Sequence, residues 1–378
     1  MNSQYLLIKT TVALLLGAVA MGCGGIDTAG HPTTNDARLA SATSDLISKY
    51  KLPAMAGAVV TPTSIRVGVS GVQKVGGSLR VSTDSLWHLG SNAKALNSAL
   101  VAKLVERGTI KWSTTLGSVF PELSSTARPQ TLALTVEQLL LMRAGLPALQ
   151  VQTEILLVPK FQGSERQQRF EFVKWATQQA PEANPGEFLY SNSNNPVVAA
   201  MLEKVTGEDW FKLLKREILA PMGMNNVVYG WPAQSGSDQP WGHLYETTAG
   251  IHVPLNPDIP ENQLPAYLVP SGGLSMTATD YARFLQESLN GLKGKNGVLL
   301  ASSVQRIFSP SLGGTYAMGW EAVEFEGRRV YSFTGSLELF NSQAAIDPTN
   351  SRAALCFTNG GASEPVFNAI LEGTQTFN

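Results

Sequence analysis

Cysteine, histidine and charge are all scarce in this chain. Two cysteines and four histidines are spread over 378 residues. Two cysteines make no disulfide framework, and His31, His88, His243 and His252 lie far apart, with no helix-face spacing for a zinc site. Charged residues make up 15%, against about 25% in an ordinary soluble domain. Lys+Arg 28 against Asp+Glu 29 leaves a net charge of −1. That balance lacks the basic footprint of a nucleic-acid binder, so no nucleic-acid partner is expected. Beyond the N-terminus no run reaches the roughly 18 apolar residues that a bilayer span requires. Hydrophobic residues still reach 43%, ample for a packed core, which excludes global disorder. The length fits two or three ordinary domains, or one large fold with an insertion.

The N-terminus reads as an export signal over residues 1–22. Lys9 supplies the positive charge, and Val12–Ala20 is an apolar core too short to span a membrane comfortably. Two endings fit. Ala20-Met21-Gly22-Cys23 resembles a bacterial lipobox and makes Cys23 the lipidated first residue of an envelope lipoprotein. Ala18-Val19-Ala20 fits a small-x-small cleavage site that leaves a soluble periplasmic or secreted protein. The lipobox is the preferred ending. Residues 23–35, opening on Gly24-Gly25, then form a tether, and acyl chains on Cys23 hold the rest at a membrane surface without a spanning helix. Cys356, in the apolar run Ala353–Phe357, reads as a small core residue of a strand.

Along the chain, Asn35 is a plausible N-cap for a helix over Asp36–Tyr50, and Ala54–Val60 and Ile65–Val72 read as a strand pair. An amphipathic helix follows over Ala93–Arg107, with Gly108 at its C-terminal end. Further helices are expected at Val136–Met142, Arg169–Gln179, Asn195–Val205, Trp210–Ile218 and Thr279–Leu289, the last capped by Thr277 or Thr279. Gln234–Pro270, with six prolines, is loop-rich and a candidate cleft rim. Tyr316–Glu324, Arg329–Thr334, Asn341–Asp347 and Arg352–Asn359 read as strands, and Val366–Leu371 as a closing helix. Strands at both ends with helices between imply one antiparallel α/β sheet domain from 36–90 and 275–378. Residues 91–274 are then a mostly helical insertion.

Three short stretches carry chemistry. Ser91-Asn92-Ala93-Lys94 puts serine and lysine on one helix face, with the serine at the positive end of the helix dipole. A buried lysine loses its charge readily and can then take a serine proton. The spacing alone is weak, since Ser48-Lys49-Tyr50-Lys51 repeats it, and a capping serine beside a solvated lysine explains it as well. Tyr190-Ser191-Asn192 offers a proton relay and an amide able to hold a lysine, or merely a loop tyrosine packed on the core. Phe333-Thr334-Gly335-Ser336 ends a strand at a glycine, where a substrate can approach the backbone and an N–H can face an oxyanion, or where a strand simply turns.

Together the three resemble the serine β-lactamase and penicillin-binding superfamily, nearest its class C β-lactamase, DD-peptidase and β-lactamase-related esterase branches. The resemblance covers about residues 36–375. It includes Leu89–Lys94, Leu139–Pro147 ending in Ala144-Gly145-Leu146-Pro147, Tyr190-Ser191-Asn192, Pro270–Leu274, Tyr316–Trp320 and Ala345–Pro348, in the family's order. The fold it implies is β-lactamase/transpeptidase-like. The chemistry it implies is acyl transfer, with Ser91 as nucleophile, Lys94 and Tyr190 sharing the base role, and Asn192 orienting Lys94 and the substrate. The N–H groups of Ser91 and Ser336 are the implied oxyanion hole. No metal or organic cofactor is implied, and the implied partner is a small-molecule ester or amide, or a peptidoglycan peptide.

Two positions depart from the family pattern. Phe333 stands where a lysine or histidine is usual, and Met142 where a histidine is usual. Phenylalanine can neither hold a substrate carboxylate nor favour a tyrosinate, so neutral esters are expected over carboxylate-bearing β-lactams. Arg143, Arg328 and Arg329 are the cations able to replace the missing charge. The alternative is a β-lactamase-like lipoprotein that binds cell-wall peptide or a protein partner without turnover. A Ser-His-Asp hydrolase is disfavoured, because no Gly-x-Ser-x-Gly elbow is present.

Overall fold

The structure, a computed structural model, describes residues 34–377 apart from 235–236, 260–261 and 312. The export signal, Cys23 and the tether up to residue 33 lie outside the described residues.

The first helix, α1 (Ala37–Tyr50), is capped by Asp36, whose Oδ1 accepts from the N–H groups of Arg38 and Leu39. Asn35, the expected cap, does something else. Its side chain exchanges two hydrogen bonds with the Val69 backbone and so ties the chain to the sheet edge. A carboxylate at the helix's positive end is the stronger cap of two adjacent candidates.

The described residues form twelve strands: β1 (Ala54–Val60), β2 (Ile65–Gly71), β3 (Leu86–His88), β4 (Val227–Tyr229), β5 (His243–Glu246), β6 (Ile251–Pro254), β7 (Leu274–Thr277), β8 (Tyr316–Ala317), β9 (Trp320–Phe325), β10 (Arg328–Ser336), β11 (Asn341–Asp347) and β12 (Arg352–Thr358). Seven of them form one antiparallel sheet in the order β2-β1-β12-β11-β10-β9-β8. The N-terminal and C-terminal strands meet where β1 pairs with β12, one strand in from the β2 edge, with Met55 opposite Thr358 and Val60 opposite Ala353. Strand alternation sorts the side chains between two layers. Met55, Ala354 and Cys356 face α1 and the C-terminal helix Glu364–Phe377, in a cluster with Leu39, Leu46 and Ile370. Ala56, Ala58, Leu355 and Phe357 face the main core, where Tyr281 of the helix Ala278–Leu292 stacks edge-on against Phe357. Thr277 caps that helix, as expected.

Several elements differ from expectation for local reasons. The helix α2 (Ala93–Glu106) is not amphipathic: Ala93 through Ala102 are all buried, because it runs through the middle of the core. The helix expected over Val136–Met142 stops at Leu140, and Met142, two residues beyond, has a φ of 58°. The helix Glu165–Ala176 starts before Arg169 because Ser164 and Gln167 form a capping box. Trp210–Leu214 is α-helical but continues as a π-turn over Lys215–Leu219. The expected strand 316–324 breaks at Gly319, whose φ of 92° turns β8 into β9. The loop-rich stretch contains the β5–β6 hairpin, and the closing helix runs on to Phe377.

Candidate active site

The predicted serine sits in a 3-10 turn, Gly90–Asn92, that feeds directly into α2. Three contacts fix that turn. The Gly90 N–H donates to Nδ1 of His88 at 3.1 Å, the Asn92 amide donates to Ser342 Oγ at 2.8 Å, and Ser342 Oγ donates to the Leu89 carbonyl at 2.7 Å. Burial holds His88 down at about 3, so its ring stays neutral and can accept. Gly90 has φ 52°, and a side-chain carbon there would come within 2.7 Å of the Ser336 amide nitrogen. A side-chain carbon on Gly335 would overlap the Leu89 carbonyl oxygen. The end of β10 therefore lies directly against the serine turn, which two glycines permit.

Four of the sequence-predicted residues converge. The Lys94 amine donates to Ser91 Oγ at 3.0 Å, to Asn192 Oδ1 at 2.8 Å and to the Ser271 carbonyl at 2.7 Å. The Tyr190 hydroxyl donates to Ser91 Oγ at 2.8 Å. Asn192 Nδ2 donates to the Leu149 carbonyl at 2.8 Å, which fixes the orientation of its amide with the oxygen toward Lys94. Lys94 is buried, and burial lowers its pKa from 10.5 to about 7. Near neutral pH it is therefore divided between amine and ammonium. Asn192 and Ser271 present only acceptor oxygens to it. When the nitrogen is neutral they take its two N–H groups, which leaves the lone pair facing the Ser91 hydroxyl. The arrangement can move a proton off Ser91.

The third stretch comes to the same place by a different route. Phe333 is 8% exposed, with its ring 6.3 Å from that of Tyr190 and 5.8 Å from that of Tyr316. Thr334 bonds Gln343 on the neighbouring strand β11. Gly335 and Ser336 meet the serine turn as described. The three arginines proposed as substitutes for a missing cation are all engaged. Arg143 bonds Ser311 and the Gly186 carbonyl, Arg328 pairs with Asp347 and Glu326, and Arg329 pairs with Glu324. Met142 accepts from Asn194 through its sulfur at 3.2 Å. Ser48, which shares the Ser-x-x-Lys spacing, is an exposed residue of α1.

Sequence reasoning missed the Ser271 and Leu149 carbonyls, Gln150, whose amide donates to the Tyr190 carbonyl at 2.6 Å, and Ser342. Pro270–Leu274 was the only signal for Ser271, and a motif says nothing about which carbonyl it presents. His243 and His252 are structural. His243 accepts from the Val75 N–H and bonds the Asn359 carbonyl, and His252 accepts from the Gly361 N–H. Burial raises the Cys356 thiol to about 12, which removes its nucleophilic form at neutral pH.

The family model described as Beta-lactamase matches residues 37–372, nearly the whole described region. The chain belongs to the β-lactamase family. Among its relatives, penicillin-binding protein 4 of Amycolatopsis lactamdurans is 22% identical over 337 residues, covering 86% of this chain and 85% of that one. The β-lactamase of Escherichia coli K12 is 26% identical, over 74% of this chain and 68% of that one. The unguisins hydrolase ungD of Aspergillus violaceofuscus is 21% identical over 83% of this chain, but this chain spans only 59% of its length. The octameric penicillin-binding protein homologue of Pyrococcus abyssi superposes with a TM-score of 0.71 at 19% identity, over 89% of this chain and 76% of that one. SurE superposes with a TM-score of 0.72 at 18% identity, over 90% of this chain and 75% of its own. The β-lactamase/penicillin-binding fold is thus shared where little sequence is. Among the described residues no helix is long and apolar enough to cross a membrane.

Proposed function

We propose that this protein is a serine hydrolase that forms an acyl-enzyme on Ser91 and prefers neutral esters or amides to carboxylate-bearing β-lactams. One observation carries the reading: Ser91 Oγ is met at once by the Lys94 amine at 3.0 Å and the Tyr190 hydroxyl at 2.8 Å. Neutral Lys94 accepts the Ser91 proton as Oγ attacks the substrate carbonyl. The amides of Ser91 and Ser336 face the developing oxyanion. As the tetrahedral adduct collapses, the departing oxygen or nitrogen takes a proton from Tyr190, which regains one from Lys94. Water then repeats the sequence on the acyl-enzyme and frees Ser91.

The substrate preference rests on Phe333. The position expected to hold a cation carries a buried ring, and Arg143, Arg328 and Arg329 are held elsewhere. Phe333 is also what favours the non-catalytic alternative, in which the same cleft binds cell-wall peptide without turnover. A fluorophosphonate probe separates the two. Labelling of wild type that is lost in Ser91→Ala supports the enzyme, and no labelling at high probe excess supports the binder. Ser91→Ala and Tyr190→Phe are expected to stay folded and to lose turnover. The tyrosine change should cost about 10²–10⁴-fold in rate, and the serine change more. Ser48→Ala should match wild type. Wild-type rates in folded Ser91→Ala would end the assignment.

The anchor is part of the same proposal. Cys23 carries a lipid and places the domain on an envelope membrane. Detergent-phase partitioning should vanish in Cys23→Ser, and processing after Ala20 would instead leave an aqueous protein.

A further inference from the structure

The aromatic side chains beside Ser91 continue beyond the catalytic group. The Tyr190 ring lies 6.3 Å from Phe333, Phe333 lies 5.8 Å from Tyr316, and Tyr316 lies 5.6 Å from Phe188. These four rings form an unbroken strip. It begins at the hydroxyl 2.8 Å from Ser91 Oγ and ends at Phe188, which is 51% exposed. Core packing accounts for Phe333 and Tyr316, which are buried. Phe188 is one of several large hydrophobics exposed on the surface, and what sets it apart is that it ends a strip starting at the Tyr190 hydroxyl. The backbone around Phe188 is pinned: the Leu189 N–H donates to the Met142 carbonyl at 2.8 Å, and the Gly186 N–H to the Arg143 carbonyl at 2.9 Å. Arg143 closes the same loop from its side chain, donating to the Gly186 carbonyl at 2.5 Å. Phe188 and the partly buried Tyr190 are the two members of the strip that solvent reaches, and the buried rings of Phe333 and Tyr316 join them from beneath, so an apolar chain running outward from Ser91 has aromatic contacts at both ends.

Proton balance says which half of the substrate lies there. When the acyl–oxygen bond breaks, the new bond joins the acyl carbon to Ser91 Oγ, and the departing alkoxide must collect a proton. Lys94 is fully buried and held by Asn192, Ser271 and Ser91, whereas the Tyr190 hydroxyl, also on Ser91 Oγ, is the less enclosed of the two donors there and is assigned the proton transfer to the departing group. The departing group is therefore on the Tyr190 side, where the strip begins. We propose that the strip Tyr190–Phe333–Tyr316–Phe188 is a leaving-group subsite for an uncharged alkyl or aryl alcohol, with Phe188 setting the chain length accepted. The inference rests on acyl transfer at Ser91 and deepens it to esters whose alcohol half is extended and apolar.

Acetate esters of 1-butanol, 1-hexanol and 1-octanol test it, because these alcohols leave almost equally well. In wild type kcat/KM should rise about two- to fourfold per added methylene, as expected for partial to full burial of each group. In Phe188→Ala the octyl-to-butyl ratio should fall by about tenfold, the loss of roughly two such contacts. An unchanged ratio overturns the proposal. So does a rise that follows acyl length instead, from ethyl butanoate to ethyl octanoate. A binding measurement separates this from the hydrolase reading. Folded Ser91→Ala protein should show saturation transfer to 1-octanol, lost when Phe188→Ala is added. That contact without any ester hydrolysis by wild type upholds the strip and sinks the hydrolase. Hydrolysis with no Phe188-dependent octanol contact sinks the strip and upholds the hydrolase.

Discussion

A lysine at the centre of a core usually destabilises a protein, and Lys94 shows what this one gains from it. Burial drops its pKa from 10.5 to about 7, so the neutral amine is available near neutral pH. If it is the base, kcat/KM on a neutral ester should climb with pH through about 7 and level off above. A flat profile from pH 5 to 9 would remove Lys94 from that role. The same shift bears on stability with a definite sign. Between about 7 and 10.5 the unfolded chain binds a proton that the native site refuses, so the native state gains as pH rises through that window. Phe333→Lys tests the neighbouring position. An added cation should hold a substrate carboxylate, raising cephalosporin turnover relative to a neutral ester by about 10–150-fold, the worth of a charge-assisted hydrogen bond. It should also push the pH limb to lower values, since a second positive charge further disfavours protonated Lys94. A wild-type protein faster on anionic cephalosporins than on neutral esters would show that reading of Phe333 to be wrong. At this scale the sequence was informative only through combination. Lys94 meets Asn192 across 98 positions and Ser91 meets Tyr190 across 99, distances that no local spacing reports. Carbonyls such as Ser271 leave no trace in residue type at all.

Elements explain why these side chains can be held in place. The serine lies on a turn clamped between α2 and the end of β10, not on a flexible loop. Gly335 is the tightest point of that clamp. Any side chain there collides with the Leu89 carbonyl and crowds Asn92 N at 3.1 Å, so either the strand or the turn must move. Gly335→Ala should fold, with native far-ultraviolet circular dichroism, yet lose about 100-fold or more in kcat, the usual cost of misplacing reacting groups by about an ångström. A rate within threefold of wild type would mean that the clamp does not set the site. Periodicity found the long helices and the sheet strands, because their buried faces dominate their composition. It misjudged α2, whose all-round burial erases any stripe. It overlooked the hairpin His243–Glu246/Ile251–Pro254, whose strands are four residues each and carry histidines and a terminal proline. The π-turn at Lys215–Leu219 was illegible, because its sequence is an ordinary helical one.

On the scale of the whole molecule, the two chain ends build one sheet, and the site depends on that closure. β1 pairs with β12, β12 with β11, and Ser342 of β11 holds the Leu89 carbonyl beside the Ser91 turn. The C-terminal helix locks the arrangement from behind. Phe377 occupies the space over Gly57 of β1, where any side-chain carbon would overlap its ring, and it packs in the cluster with Leu39, Met55 and Cys356. Gly57 is thus read correctly as a strand residue from its neighbours, but its partner 320 positions away is visible only in three dimensions. Phe377→Ala should open a cavity at the join and cost about 3 kcal/mol, the lower end for burying a phenylalanine site and emptying it. The site is on the other side of the sheet from this helix, so kcat/KM well below the melting temperature should remain within twofold of wild type. Because closure is shared by every strand between β2 and β8, the loss should appear as one transition. Near-ultraviolet circular dichroism and residual ester hydrolysis should fall at the same lowered temperature. If activity outlasts the sheet signal, or the C-terminal helix melts first in a separate step, the two ends do not hold the site together.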